Sequence, residues 1–358
     1  MLPTDADCEV EDLDYFLPAE LIAQHPARRR EDARLLAVDR KGSLRDLTFS
    51  AFPGLLRRGD LLVLNNTKVL PAKFAAFRNT GGRVEGLFLA EQALGQWRLM
   101  LKSSGRLRLG EVLRISDVSR DVMLHLTEKL VDGEWQVAVA PAVPAEELLQ
   151  RIGQTPLPPY IRRFPDDASR DAEDRRRYQT VYAREPGAIA APTAGLHFTE
   201  PLLSSIRDRG VEVATLTLHV GAGTFRPITV SQLSRHHMHA EFVCVGRGLV
   251  EAIGACRERS GRVVAVGTTT VRALETAARR TNGQGGLGPF QGMTDLFIRR
   301  PFQFRVVDAL LTNFHLPRST LLALVMAFAG VERVRRAYQH AVEARYRFYS
   351  FGDAMFLY

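Results

Sequence analysis

The sequence predicts an α/β protein: a main α/β domain with a largely parallel sheet, interrupted by an inserted, smaller antiparallel all-β domain. Two observations carry this. Between residues 71 and 154, short alternating apolar runs recur at intervals of roughly 8–12 residues, punctuated by Gly, Asn, Asp and Ser, as in a small barrel or sandwich. On both sides of that stretch, strand-length apolar runs alternate with helical segments, which argues a parallel sheet. A chain of 358 residues is also longer than one ordinary domain. The expected division is 1–70 with 155–358 as a discontinuous α/β domain and 71–154 as the insertion.

Taken in order, Asp60–Leu64 is the first buried-strand candidate and runs into NNT. The β segment follows, with runs at Lys73–Phe77, Arg83–Leu89, Trp97–Lys102, Glu111–Ile115, Val122–Leu126 and Glu134–Ala140. A short helix is expected over Pro144–Arg151, stopped at Gly153, and the proline-rich TPLPPYI after it is an extended connector. Ala188–Ala191 is a short apolar run leading into PTAGLHF. Thr199 is a good N-cap with Pro201 in the first turn, and that helix should end at Gly210, where positive φ is tolerated. Val211–Val220 is a strand followed by GAGTF. Arg262–Val266 is a strand followed by GTTT and a helix over Val271–Arg280. Val306–Leu311 is a strand followed by TNFHLP and a helix starting at Ser319 or Thr320. Leu321, Leu322, Leu324, Val325 and Phe328 surround that last helix with apolar groups, so it is a core helix. Gly283–Gly292 reads as a surface loop.

Composition narrows the function classes. Hydrophobic residues at 46% and charged residues at 25% are ordinary globular values, which excludes disordered, collagenous and coiled-coil proteins. The strongest apolar run, Leu321 to Gly330, is too short to cross a bilayer, which takes roughly 18 residues or more. The acidic N-terminus has no basic-then-apolar leader pattern. Cys8, Cys244 and Cys256 cannot make a disulfide framework or a paired-Cys zinc site. The expectation is a cytoplasmic monomer with no metal and no membrane contact. The net charge of +8 rests on 43 arginines against five lysines, with clusters at 28–30, 57–58, 175–177, 279–280, 299–300 and 335–336. Arginine's planar fork suits phosphate, so a polyanionic partner is one reading and a solvated surface the other.

In open parallel sheets, ligands bind beyond the carboxyl ends of the strands. The loops at those ends are polar: Asn65, Asn66 and Thr67; Thr193 and His197; His219 and Thr224; Thr268, Thr269 and Thr270; Asn313 and His315. Three histidines at strand ends point to one site. The segment RHHMHAE (235–241) adds more; if it enters a strand, His237, His239 and Glu241 share a face that orients a histidine or holds a metal. The threonine turn either caps its helix or offers N–H groups to an anion. Gly221-Ala222-Gly223 lacks the third glycine of a dinucleotide fingerprint and the lysine of a P-loop, and there is no G-x-S-x-G elbow.

At these loops the chain resembles the S-adenosylmethionine:tRNA ribosyltransferase-isomerase family of queuosine biosynthesis. The segments that carry the resemblance are AAPTAGLHFT (190–199), TLHVGAGTFRPI (217–228), HHMHAEF (236–242), VAVGTTTVRALE (264–275), VVDALLTNFHLPRSTLLALV (306–325) and RFYSFGDAMF (347–356). FLPAELIAQHP, GDLLVLNNTKVLPA, PLPPYI and YQTVYA match as well, so nearly the whole chain is covered. One departure is FIRRPF (297–302), where the family usually has Pro-Gly. The resemblance implies an α/β domain with an inserted β-barrel. It implies transfer and isomerisation of the ribosyl part of S-adenosylmethionine onto 7-aminomethyl-7-deazaguanine at the tRNA wobble position. Epoxyqueuosine, adenine and methionine are the products, S-adenosylmethionine is consumed, and no cofactor is needed.

Such a reaction needs a base for the proton beside the sulfonium, an acid or donor for departing adenine, and a neutral attacking amine. His197, His219, His239 and His315 are the proton-transfer candidates, and the sequence does not rank them. Glu241 and Asp308 would orient histidines or bind the amine. Arg226, Arg272 or the turn at Thr268 and Thr269 would hold the methionine carboxylate. Asn65, Asn66 and Asn313 would read hydroxyls or base edges, with Thr193 and Thr224 beside them. Tyr160 and Phe314 would stack on the extruded base. Arg162, Arg163, Arg175, Arg176 and Arg177 would receive the tRNA. Two other classes compete: a methyltransferase, which needs a glycine-rich loop and an acidic strand end that are not convincing here, and a non-catalytic RNA-binding protein, which has no use for strand-end histidines.

Overall fold

The computed structural model describes residues 10–115, 121–163, 170–225, 228, 230, 232–280 and 286–358. Its body is a nine-stranded sheet. Four neighbouring strands run parallel in its centre: β12 (Glu212–Leu218), β3 (Leu61–Asn65), β14 (Val263–Val266) and β16 (Ala309–Asn313). β13 (Glu241–Val245) and β15 (Phe290–Thr294) extend one flank antiparallel. On the other, β17 (Ala354–Leu357) lies antiparallel to β16 and is followed by β1 (Arg34–Val38) and β2 (Leu44–Thr48). The sheet is therefore parallel at its heart and mixed at its margins, where β1 pairs parallel with β17 but antiparallel with β2. Strand β15 also runs through the C-terminal part of 283–292, the stretch expected to be wholly loop.

The central strands read as continuous apolar runs because both faces are covered. Leu61, Val63, Val263 and Ala265 pack in a layer with α5 (Thr268–Arg280), α6 (Thr320–Ala329) and α7 (Val331–Glu343), while their neighbours Leu62, Leu64, Val264 and Val266 pack with Phe49, Phe52 and α3 (Glu200–Asp208). The alternation is the period of two expected of a strand. Thr199 caps α3 as expected, its Oγ1 accepting the Leu202 N–H at 3.3 Å. Ser319 caps α6 in the same way at 3.2 Å.

Two elements sit differently from their sequence pattern. Helix α5 begins at Thr268, three residues early, because Gly267 at φ +89° turns the chain directly from strand to helix. Strand β16 begins late, at Ala309. The backbone N–H groups of Arg305, Val306 and Val307 donate to the buried Glu275 carboxylate instead of to a neighbouring strand. That delay places Thr312 and Asn313 at the very end of the strand.

Six further strands close into an antiparallel barrel: β5 (Lys73–Arg78), β6 (Arg83–Ala93), β7 (Gln96–Ser103), β8 (Val112–Ile115), β9 (Val122–Lys129) and β10 (Glu134–Ala140), in the order β10-β7-β6-β5-β8-β9. Both tryptophans, Trp97 and Trp135, are buried in its own core. Gly86 is needed there, since a Cβ would sit 2.2 Å from the Phe74 ring. Helix α1 (Ala145–Ile152) closes one end. The strands entering and leaving the barrel are tied by paired hydrogen bonds between Lys73 and Gln154. The described chain also has a short parallel pair, β4 (Thr67–Val69) with β11 (Glu185–Ala188), helix α2 (Asp171–Arg177), and helix α4 (Arg247–Glu258), which packs into the main core.

Candidate active site

The carboxyl ends of β14 and β16 open into a pocket walled by the Ala190–Ala194 loop, Gly267–Thr269, Asn313–Leu316 and the residues Tyr160, Tyr349 and Ser350. This is the crevice at which an open parallel sheet takes its ligands. Its walls are mainly apolar, with a few convergent polar groups, as in small-molecule sites generally.

Asn313 is the most informative of these groups. Its Nδ2 donates to the carbonyls of Tyr349 (3.0 Å) and Asp353 (3.5 Å), which fixes the orientation of the amide. Its Oδ1 is buried and has no hydrogen-bond partner among the described residues. A buried acceptor left open in a pocket wall costs free energy that a ligand's N–H or O–H would recover. Nδ2 also lies 3.4 Å from His197 Nε2; an amide N–H can only donate, so Nε2 accepts and the His197 proton is on Nδ1.

His315 lines the same pocket with Nε2 2.7 Å from Thr312 Oγ1. Burial lowers the His315 pKa to about 3. His197 is also lowered to about 3, by burial first and then by the charges of Arg347 and Arg30. Both rings are neutral at physiological pH. Tyr160 donates to or accepts from Ser350 Oγ at 2.7 Å and packs on Tyr349 at 4.5 Å between ring centres. Thr193, Thr268 and Thr269 complete the polar lining.

A second, wider cleft lies between sheet and barrel, with a volume of about 720 Å³. His219, the Gly221–Gly223 loop, His239 and Glu241 face barrel residues such as Phe88, Glu91 and Arg98 across it. His219 Nδ1 is 2.8 Å from Thr67 Oγ1, and its ring stacks on Phe242. Gly187 lets that ring come close: a Cβ there would lie 2.8 Å from it. Burial lowers the His219 pKa, opposed by Glu185. The two pockets are neighbours along the chain, since Val220 lines the first and His219 the second.

Several expected site residues stand elsewhere. His315, His219 and His197 line three separate pockets, the third being a small one beneath Arg30. Asp308 lies at the opposite, amino-terminal end of β16, a strand length of roughly 16 Å from Asn313, where it accepts the Val263 N–H. Asn65 is consumed as a clamp between β3 and β12, bonded to both backbone groups of Leu218 and to the Thr67 N–H. Asn66 accepts from Thr217. The Phe314 ring is buried against Tyr338, Tyr346 and Phe348, so it has no face for a base. Strand β13 starts only at Glu241, so His237, His239 and Glu241 do not share a strand face. Glu241 instead forms a buried ion pair with Arg272 and accepts the Gly221 N–H at 2.8 Å, which fixes the glycine loop. Arg272 Nε donates to Leu296 O, so its guanidinium is anchored inside the fold.

Of the arginines expected to meet RNA, Arg163 is bidentate to Asp174, Arg175 bonds Asp171 and Gly153, and Arg177 bonds the carbonyls of Ala27 and Arg28. These three hold the connector together; Arg162 and Arg176 are exposed. Arg226 and the side chain of Thr224 lie outside the described residues. Tyr349, Ser350 and Ala190–Pro192 line the first pocket without having been singled out as site residues; the RFYSFGDAMF and AAPTAGLHFT segments were the available signal. No group of three or more His, Cys, Asp or Glu residues able to hold a metal occurs among the described residues.

The family model described as "Queuosine biosynthesis protein" matches residues 10–357. The chain belongs to the queuosine biosynthesis protein family. Its relatives include the S-adenosylmethionine:tRNA ribosyltransferase-isomerases of Geotalea uraniireducens, 48% identical over 98% of this chain and 100% of the relative, and of Geobacter metallireducens, 49% identical over 97% and 99%. Among solved structures, an S-adenosylmethionine tRNA ribosyltransferase from Thermotoga maritima is 35% identical, covers 97% of this chain and 100% of its own, and superposes with a TM-score of 0.54.

Proposed function

We propose that this chain transfers and isomerises the ribosyl part of S-adenosylmethionine onto 7-aminomethyl-7-deazaguanine at the wobble position of tRNA. Epoxyqueuosine-tRNA forms, and adenine and methionine leave. Membership of the queuosine biosynthesis family over residues 10–357 carries the reading. The two adjoining pockets offer what such chemistry asks for: a strand-end slot for a nucleoside, and a wider cleft for a base swung out of its loop.

In this reading the strand-end pocket takes the nucleoside of S-adenosylmethionine. Asn313 Oδ1 accepts from it, Tyr160 and Tyr349 wall it, and Thr193, Thr268, Thr269 and His315 line its polar side. The N-terminus of α5, at Thr268 in the pocket wall, attracts the methionine carboxylate. His219 is the base. With the Thr67 hydroxyl directed at Glu185 O (3.5 Å), ring Nδ1 keeps its proton and Nε2 presents a lone pair to the cleft. Its lowered pKa keeps that lone pair available at neutral pH. It accepts either the proton beside the sulfonium or that of the attacking amine. His197 acts through Asn313, and His239 lies across the glycine loop from Glu241 at the cleft mouth. Arg162 and Arg176 contact the tRNA backbone. The enzyme acts as a cytoplasmic monomer without a cofactor; among the described residues no helix is long and apolar enough to cross a membrane.

The test is product analysis after incubation with S-adenosylmethionine and tRNA carrying the modified base. The reading expects free adenine and methionine in equal amounts. S-Adenosylhomocysteine would mean methyl transfer, and unconsumed S-adenosylmethionine would mean simple binding; either overturns it.

A further inference from the structure

Behind His197 lies a small pocket that the reaction chemistry does not use. Arg30, Arg177 and Arg347 line it, together with Pro26, Ala27 and Ser350. All three guanidiniums are held in place by backbone carbonyls. Arg30 donates to Leu196, Arg176 and Gln179; Arg177 to Ala27 and Arg28; Arg347 to His25. Carbonyls orient a cation but leave its charge in place. Asp353 lies 3.7 Å from Arg347 Nη2. Its oxygens already accept the backbone N–H groups of Arg34 and Arg347. Exposed Glu173 also attracts Arg177. Three positive charges thus face one space with little to balance them.

That imbalance is visible in the groups themselves. Burial, then the charge of Arg177, brings the Arg30 pKa down to about 10. Burial lowers Arg177 as well. A half-buried cation cluster of this kind is stabilised by an anion, and the guanidinium fork fits phosphate oxygens.

We infer that this pocket seats a single backbone phosphate of the substrate tRNA. Two observations favour a phosphodiester over the carboxylate of S-adenosylmethionine. The cavity is only about 20 Å³, room for the tip of an anion and not for a nucleoside. Exposed Arg28 and Arg176 are the chain neighbours of its lining residues Ala27 and Arg177, and positive charge added there suits a polymer of phosphates. The site adjoins the strand-end pocket through the His197–Asn313 contact and the shared Ser350, so a phosphate held here fixes the tRNA close to the chemistry.

The inference rests on the proposed tRNA substrate, and its test reads binding separately from turnover. Affinity for substrate tRNA is measured from about 50 to 200 mM salt for wild type, Arg347→Gln, Arg347→Lys and Arg177→Gln, alongside S-adenosylmethionine affinity. The expected result for Arg347→Gln and Arg177→Gln is roughly tenfold weaker tRNA binding, with a log–log salt slope shallower by about 0.7–0.9 and unchanged S-adenosylmethionine affinity. Arg347→Lys, which keeps the charge, should fall between. Weakened S-adenosylmethionine binding with intact tRNA binding would overturn the inference in favour of the substrate carboxylate. Unchanged affinity for both would make the cluster purely structural and overturn it as well. A wild-type protein that binds no tRNA would instead sink the functional reading beneath it.

Discussion

Asn313 and the histidines around it show how burial sets chemistry at single residues. His197 and His315 are enclosed, and each is held neutral by desolvation with a pKa of about 3. An unfolded histidine titrates near 6.5. As pH falls below that value the unfolded chain takes up protons that the folded chain refuses. The stability these rings contribute is therefore fully present above about 6.5 and is lost progressively towards about 3. Thermal melting across that window should show Tm falling with pH, and replacing His197 by Gln should flatten the fall. A His197→Gln variant with the wild-type slope would show that the ring is not held neutral. His219 differs because it is only partly buried on the cleft and bonded to Thr67, which is why it and not His197 is the proposed base.

At the level of elements, the central parallel strands, the barrel strands and the caps of α3 and α6 were legible in the sequence, because period-two burial and N-caps are local signals, whereas β1, β2, β17, α4 and α7 were not read as elements. Thr199 and Ser319 cap their helices, and all six barrel strands follow alternating runs. The strand-end loops were also found, since polar residues in tight connections are conspicuous. What was not legible is where each side chain points. Asn65 and Phe314 have the right chemistry and stand at the right strand ends, yet long-range partners such as Leu218 and Tyr338 claim them, while Asp308 sits at the far end of its strand, bonded to Val263. The shift of β16 came likewise from Glu275, some thirty residues away in sequence. The β4–β11 pair carries a prediction of its own. Gly187, at φ +149°, gives its space to the His219 ring. Gly187→Ala should push the ring off Thr67 and lower turnover by about 10²-fold, with S-adenosylmethionine affinity changed much less. Wild-type turnover in this variant would remove His219 from the role of base.

On the scale of the molecule, two cores face each other across the cleft. The barrel packs on its own cluster, and both tryptophans belong to it. Tryptophan fluorescence therefore reports the barrel, while far-ultraviolet circular dichroism reports the whole chain. Urea unfolding followed by both should give transitions that do not coincide; superimposable curves would mean that the two cores unfold as one cooperative unit. The cleft exists only because these bodies are juxtaposed, whereas the nucleoside pocket beside it has no barrel residue in its lining. The most direct check on that arrangement is the single-turnover rate of adenine release by Asn313→Ala with S-adenosylmethionine and substrate tRNA. If the strand-end pocket is where the sulfonium nucleoside is taken apart, the rate falls by about a hundredfold or more. Adenine released at the wild-type rate would contradict it.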